Sequence, residues 1–147
     1  MRKTKFFFAA AVLVCCFVVN AFGSGASLKR QDAAFKAFWT KFKSAVARKD
    51  KNAAANLSRF PVSMPAFQKS VRTRADFLRR YNLIFDGEAD AAKCFQNASP
   101  QKVSARRYEV NCGFKNDKTG DGGEPIVYAF ELTKSGWKFV GLDNINE

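Results

Sequence analysis

The chain predicts an α+β domain in which N-terminal helices pack on a curved antiparallel sheet of three to five strands, behind a cleaved signal peptide. Three observations carry that reading. Phe35, Phe38, Trp39, Phe42 and Val46 recur at three- and four-residue spacing, the pattern of a helix with one apolar face. Tyr108, Val110, Cys112 and Phe114 alternate with Glu109, Asn111 and Gly113, the period of a half-buried strand. Two runs rich in β-branched and aromatic residues, Ile126 to Thr133 and Trp137 to Leu142, flank Thr133-Lys134-Ser135-Gly136 and read as a hairpin.

Arg2, Lys3 and Lys5 precede an apolar run from Phe6 to Val19, followed by the small-residue sites Ala21-Phe22-Gly23 and Ser24-Gly25-Ala26. This is the layout of a signal peptide, residues 1 to 26, cut after Gly23 or Ala26. The apolar run is shorter than the roughly 20 residues of a spanning helix, so no membrane span is expected after processing. Residues 27 to 147 then form a single domain.

Helix one is expected from Gln31 to Arg48, and a short alanine-rich helix from Lys51 to Leu57. The latter stops before Phe60-Pro61, because the residue before proline disfavours the α region. With Pro61 and Pro65, the stretch to Phe67 can be only a loop or a short edge strand. Thr73 with Asp76 three residues later announces a helix whose apolar face is Phe77, Leu78, Tyr81, Ile84 and Phe85 and whose end is Asp86-Gly87. Glu88 to Lys93 is short-helical or loop. On the first hairpin strand, Ile126, Tyr128, Phe130 and Leu132 share one face.

Cys94 and Cys112 are the two cysteines outside the signal segment. In an exported chain without histidine they predict a disulfide and not a zinc site, and no metal ligand set is assigned. A tight turn at Ala98 to Gln101 would put Cys94 opposite a residue well short of Cys112. The pairing therefore requires a wider connection, or a Cys94 on a helical turn packed against the strand of Cys112. Asp117 to Gly122 opens like a calcium loop, but the closing glutamate position is Tyr128, so a plain connection is expected.

The formal charge of +12 falls to about +9 without the signal segment, and the basic residues concentrate between Ser27 and Arg107. Arg72, Arg74, Arg79 and Arg80, with Arg106 and Arg107, are the candidates for an anionic partner, either an acidic protein or an envelope component. Aromatic residues lie on the apolar faces and not between the arginines, so nucleic acid is not favoured.

The order of elements, together with FWTKFKSAVARKD, NLSRFP, RADFLRRYNLIFD, YAFEL and GWKFVGLDNINE, resembles small exported bacterial proteins of the nuclear-transport-factor-2-like (cystatin-like cone) superfamily. The resemblance implies a bent sheet around a conical pocket, and allows a homodimer through the outer sheet face. Enzymes of that superfamily use a pocket acid with tyrosine, or histidines, and this chain has no histidine. Glu131 and Asp143 are the possible bases, but no spacing pairs them with Tyr81, Tyr108 or Tyr128.

The chain is therefore expected to be a non-catalytic exported binding domain without a cofactor. It would hold a small apolar ligand or a protein partner in the helix-sheet cavity, lined by Tyr81, Phe85, Tyr108, Tyr128 and Trp137. One alternative is an envelope interaction, inhibitor or immunity protein using the basic helical face. A second is an isomerase- or dehydratase-like enzyme, which requires a carboxylate beside a tyrosine in a cavity.

Overall fold

A computed structural model describes residues 24–67, 69–115 and 125–144. The signal segment up to residue 23 and the glycine-rich loop with its calcium-like spelling lie outside the described residues. Four helices, α1 (Ser24–Ala47), α2 (Lys51–Asn56), α3 (Arg74–Asp86) and α4 (Ala91–Asn97), accompany six strands. The strands are β1 (Ser58–Met64), β2 (Lys69–Val71), β3 (Gln101–Ser104), β4 (Arg107–Cys112), β5 (Ile126–Thr133) and β6 (Gly136–Asn144).

The sheet order is β2-β1-β6-β5-β4-β3. Every neighbouring pair is antiparallel except β1 and β6, which run parallel. The α+β reading holds, and the sheet is larger and mixed, with six strands in place of three to five antiparallel ones. The expectation that Pro61 confines its segment to a loop or edge is corrected: β1 lies inside the sheet, between β2 and β6. Its register against β6 shifts between Ser58 and Ser63, so the proline falls where the ladder is already irregular.

The aromatic stripe of α1 makes the core. Phe42, fully buried, meets Phe85 of α3, Phe95 of α4, Phe130 of β5 and Phe139 of β6 at ring-centroid distances of 5.2 to 6.2 Å. Offset and edge-on pairs of this kind add about 0.5–1.5 kcal/mol each beyond area burial. Thr73 caps α3 as its spacing predicts, its hydroxyl accepting from the Asp76 amide at 3.1 Å. Cys94 lies on α4 and is bonded to Cys112 of β4, with Cα atoms 5.8 Å apart. The helical alternative for Cys94 is thus the one the chain adopts.

The hairpin closes at Gly136, whose φ of 93° is the left-handed conformation that glycine takes without strain. Among the described residues, no helix is long and apolar enough to cross a membrane.

A candidate site between the helices

The expected cavity between helices and sheet is filled by side chains. Tyr108 of β4 stacks on Phe35 with ring centroids 3.7 Å apart, and Trp137 of β6 stands edge-on to both rings. Tyr128 of β5 donates its hydroxyl to the Ile84 carbonyl at 3.1 Å, and burial pushes its pKa up. Trp137 donates Nε1 to the Gln31 carbonyl at 3.3 Å. These three residues are core with satisfied polar ends, and they line no ligand cavity. The assignment of Tyr108, Tyr128 and Trp137 as binding residues is corrected accordingly: close packing of their rings leaves no room for a guest.

Tyr81 and Phe85 differ. They line, with Val46, the apolar side of a cavity of about 300 Å³ among the end of α1, α3 and α4. Its polar side is Lys49, Asn82, Asp86, Asp90, Lys93 and Gln96. Tyr81 is 3% exposed, and its hydroxyl is buried with no hydrogen-bond partner among the described residues. Burial, and secondarily the charge of Asp50, raise its pKa to about 12. Such an unpaired buried hydroxyl costs roughly 1–3 kcal/mol, a cost that a bound polar atom would remove.

The surrounding charges are held in place by local structure. Asp90 is the N-cap of α4, with Oδ1 accepting from the Lys93 amide at 3.0 Å. Asp86 ends α3 and is bonded to the Lys115 ammonium, whose hydrogen bond lowers the carboxyl pKa. Lys49 follows α1 with a left-handed φ of 54°, which turns the chain back towards α2. Sequence reasoning singled out Tyr81 and Phe85 but missed Lys49, Asp90 and Lys93. Asp90 was within reach, because Asp90-Ala-Ala-Lys93 has the form of a helix N-cap.

Glu131 and Asp143, the carboxylates considered as bases, lie on the opposite face of the sheet. Glu131 is bonded to Arg107 at 2.9 Å and Arg59 at 3.3 Å, while Asp143 lines an outer groove with Val127 and Gly141. Alternation along β5 turns Glu131 away from Tyr128 and Phe130.

Arg74 donates to Asn52 at 2.8 Å and Asn56 at 3.4 Å, and Arg79 is bonded to Asp76 of its own helix. Arg72 is exposed and Arg80 half-buried. Arg106 and Arg107 stand at the far end of β4, beside the β5-β6 turn. The six arginines come from different elements: Arg72 from the link between β2 and α3, Arg74, Arg79 and Arg80 from α3, and Arg106 and Arg107 from the β3-β4 turn and the start of β4. Among the described residues there is no cluster of three or more acidic, cysteine or histidine side chains that could hold a metal ion.

No family model and no curated protein matches the chain. Among solved structures it is similar to a type 2 hexachlorocyclohexane dehydrochlorinase (LinA), with 12% identity, a TM-score of 0.47, and coverage of 82% of this chain and 87% of the other. A dehydratase assignment of the NTF2-like family from Streptomyces avermitilis gives 17% identity, a TM-score of 0.44, and coverage of 78% and 95%. A domain of unknown function with a cystatin-like fold from Nostoc punctiforme gives 15%, 0.43, and coverage of 83% and 78%. Within the chain itself, the filling of the helix-sheet cavity by Phe35, Tyr108, Tyr128 and Trp137 corrects the reading of a non-catalytic domain that binds through that cavity. The similarity is to NTF2-like and cystatin-like structures, the resemblance that the order of the chain's elements suggested.

Proposed function

We propose that the chain is an exported acid-base enzyme of the isomerase or dehydratase kind, acting on a small molecule in the cavity of Tyr81. The observation that carries this reading is the buried, unpaired Tyr81 hydroxyl beside a cavity that also presents carboxylates. With a pKa near 12 the phenol stays protonated across the neutral range, so it is a hydrogen-bond donor for a substrate oxygen on which negative charge develops. Asp90 is the proposed base. Its Oδ1 is engaged by the Lys93 amide, and Oδ2, without a hydrogen-bond partner among the described residues, is the oxygen that would take a substrate proton. Lys49 and Lys93 supply positive charge at the mouth.

Hydrogen-deuterium exchange at carbons next to a carbonyl, followed by NMR over a panel of small keto acids and aldehydes, tests the reading. The wild-type chain accelerates exchange of at least one compound above the buffer rate. Tyr81→Phe, which keeps the ring, lowers that rate about 100-fold, the scale of one lost oxyanion donor. Asp90→Asn keeps a capping side chain while removing the base, and lowers it by a similar factor. Exchange unaffected by either substitution would exclude this site.

Export rests on the basic and apolar segments before Ser24, and the Cys94–Cys112 disulfide supports an oxidising compartment. Pairing of two copies through the outer sheet face remains a further element of the proposal. Half-buried Val127 and Glu131 and buried Ala129 alternate there along β5.

A further inference from the structure

We propose that a second site, at the end of the sheet remote from Tyr81, binds a phosphoryl group presented as a dianionic monoester. An open groove of about 640 Å³ lies where the β3-β4 and β5-β6 turns meet the start of β1. Arg59, Arg106, Arg107 and Lys134 line it together with Ser104, and Glu131 is the one acidic residue of the lining among the described residues.

The guanidinium groups are held by the protein itself. Arg106 Nη2 donates to the Leu132 carbonyl at 2.8 Å. Arg107 donates Nε to Glu109 at 2.7 Å and Nη1 to Glu131 at 2.9 Å, and Arg59 Nη2 reaches the other oxygen of Glu131 at 3.3 Å. Each arginine carries five N–H donors, so each keeps donors beyond those bonds. Anchored on one side, the side chains are already ordered for a ligand on the other, which lowers the cost of binding.

Charge selects the ligand class. Four basic residues face Glu131 in the groove and Glu109 beside it, an excess of about two positive charges. A phosphate monoester supplies about −1.5 to −2 at neutral pH with three acceptor oxygens, and it suits the planar arginine fork. Monoanions leave the excess uncompensated. The groove shares no residue with the Tyr81 cavity, and the inference does not depend on the proposed reaction.

The test is an amide NMR titration of the full mature chain at low salt with glycerol 3-phosphate, inorganic phosphate and acetate. We expect saturable shifts at Arg106, Arg107 and Lys134 with the phosphates, and affinity for acetate weaker by about tenfold or more. Arg106→Gln, on an exposed turn, weakens phosphate binding about tenfold, whereas Lys43→Gln, on α1 beside Gln96 of α4, changes it less than about twofold. Equal losses in the two variants would mean attraction to overall charge only, and would overturn the site, as would the absence of saturation by ~20 mM phosphate. Co-sedimentation with phosphatidylcholine vesicles, with and without phosphatidic acid, identifies the source. Binding to the acidic vesicles, lost in Arg106→Gln, assigns a lipid headgroup. Binding to glycerol 3-phosphate alone assigns a soluble ester.

Discussion

Asp32 shows how a single side chain couples distant segments. Its Oδ1 accepts from Lys102 Nζ of β3 at 2.6 Å and from the Tyr108 hydroxyl of β4 at 2.8 Å. The Lys102 hydrogen bond, followed by that of Tyr108, lowers the Asp32 pKa, while burial and then the Asp32 bond raise that of Tyr108 to about 12. A carboxyl depressed in the folded state contributes stability that is present above the ordinary carboxylate range and lost as pH falls through its folded value. Thermal melts at pH 7 and pH 3 should therefore differ less for Asp32→Asn than for the wild type. An equal difference would show that Asp32 does not contribute to acid sensitivity. None of this was legible in the sequence, since Asp32 and Lys102 stand 70 residues apart and β3, with all four residues exposed, lacks the alternation that marks a half-buried strand. Phe42, by contrast, was readable as core from helical spacing alone.

At the scale of elements, legibility followed local chemistry. The start of α3 was readable because capping needs only residues three apart, and Thr73 meets the Asp76 amide as expected. Thr73→Ala should cost about 1 kcal/mol, measured by urea denaturation, with the slope of the transition unchanged. A loss below about 0.3 kcal/mol would show that α3 is held by packing alone. Strands β2 and β3, with three and four residues, are too short for a period of two to be recognised. The parallel pairing of β1 with β6 was equally hidden. It joins Ser58 to Phe139 and Ser63 to Gly141, and nothing local in either segment announces its partner. A Cβ at Gly141 would stand 3.2 Å from the Ser63 carbonyl oxygen, so close approach of the two backbones accounts for this glycine.

For the whole molecule, the Cys94–Cys112 bond ties α4 to β4 across a separation of 18 residues. Closing a loop of that size contributes roughly 3 kcal/mol in the chain-entropy model. The double substitution Cys94→Ser and Cys112→Ser should lower unfolding free energy by about that amount in chemical denaturation, and an unchanged midpoint would rule out the contribution. Intact mass of the exported chain should begin at Ser24 or Ser27 and carry the disulfide, whereas a full-length mass with free thiols would remove the export reading. The sequence by itself determined the α+β class, the aromatic face of α1, the terminal hairpin and the pair of cysteines, because periodicity, capping and turn chemistry act over a few residues. The tertiary structure decided where space remains. Packing filled the helix-sheet cavity with Phe35, Tyr108, Tyr128 and Trp137, left the Tyr81 hydroxyl without a hydrogen-bond partner among the described residues beside a cavity between helices, and gathered Arg59 with Arg106 and Arg107. Voids and charge clusters arise from the mutual fit of residues far apart in the chain, which no local spacing encodes.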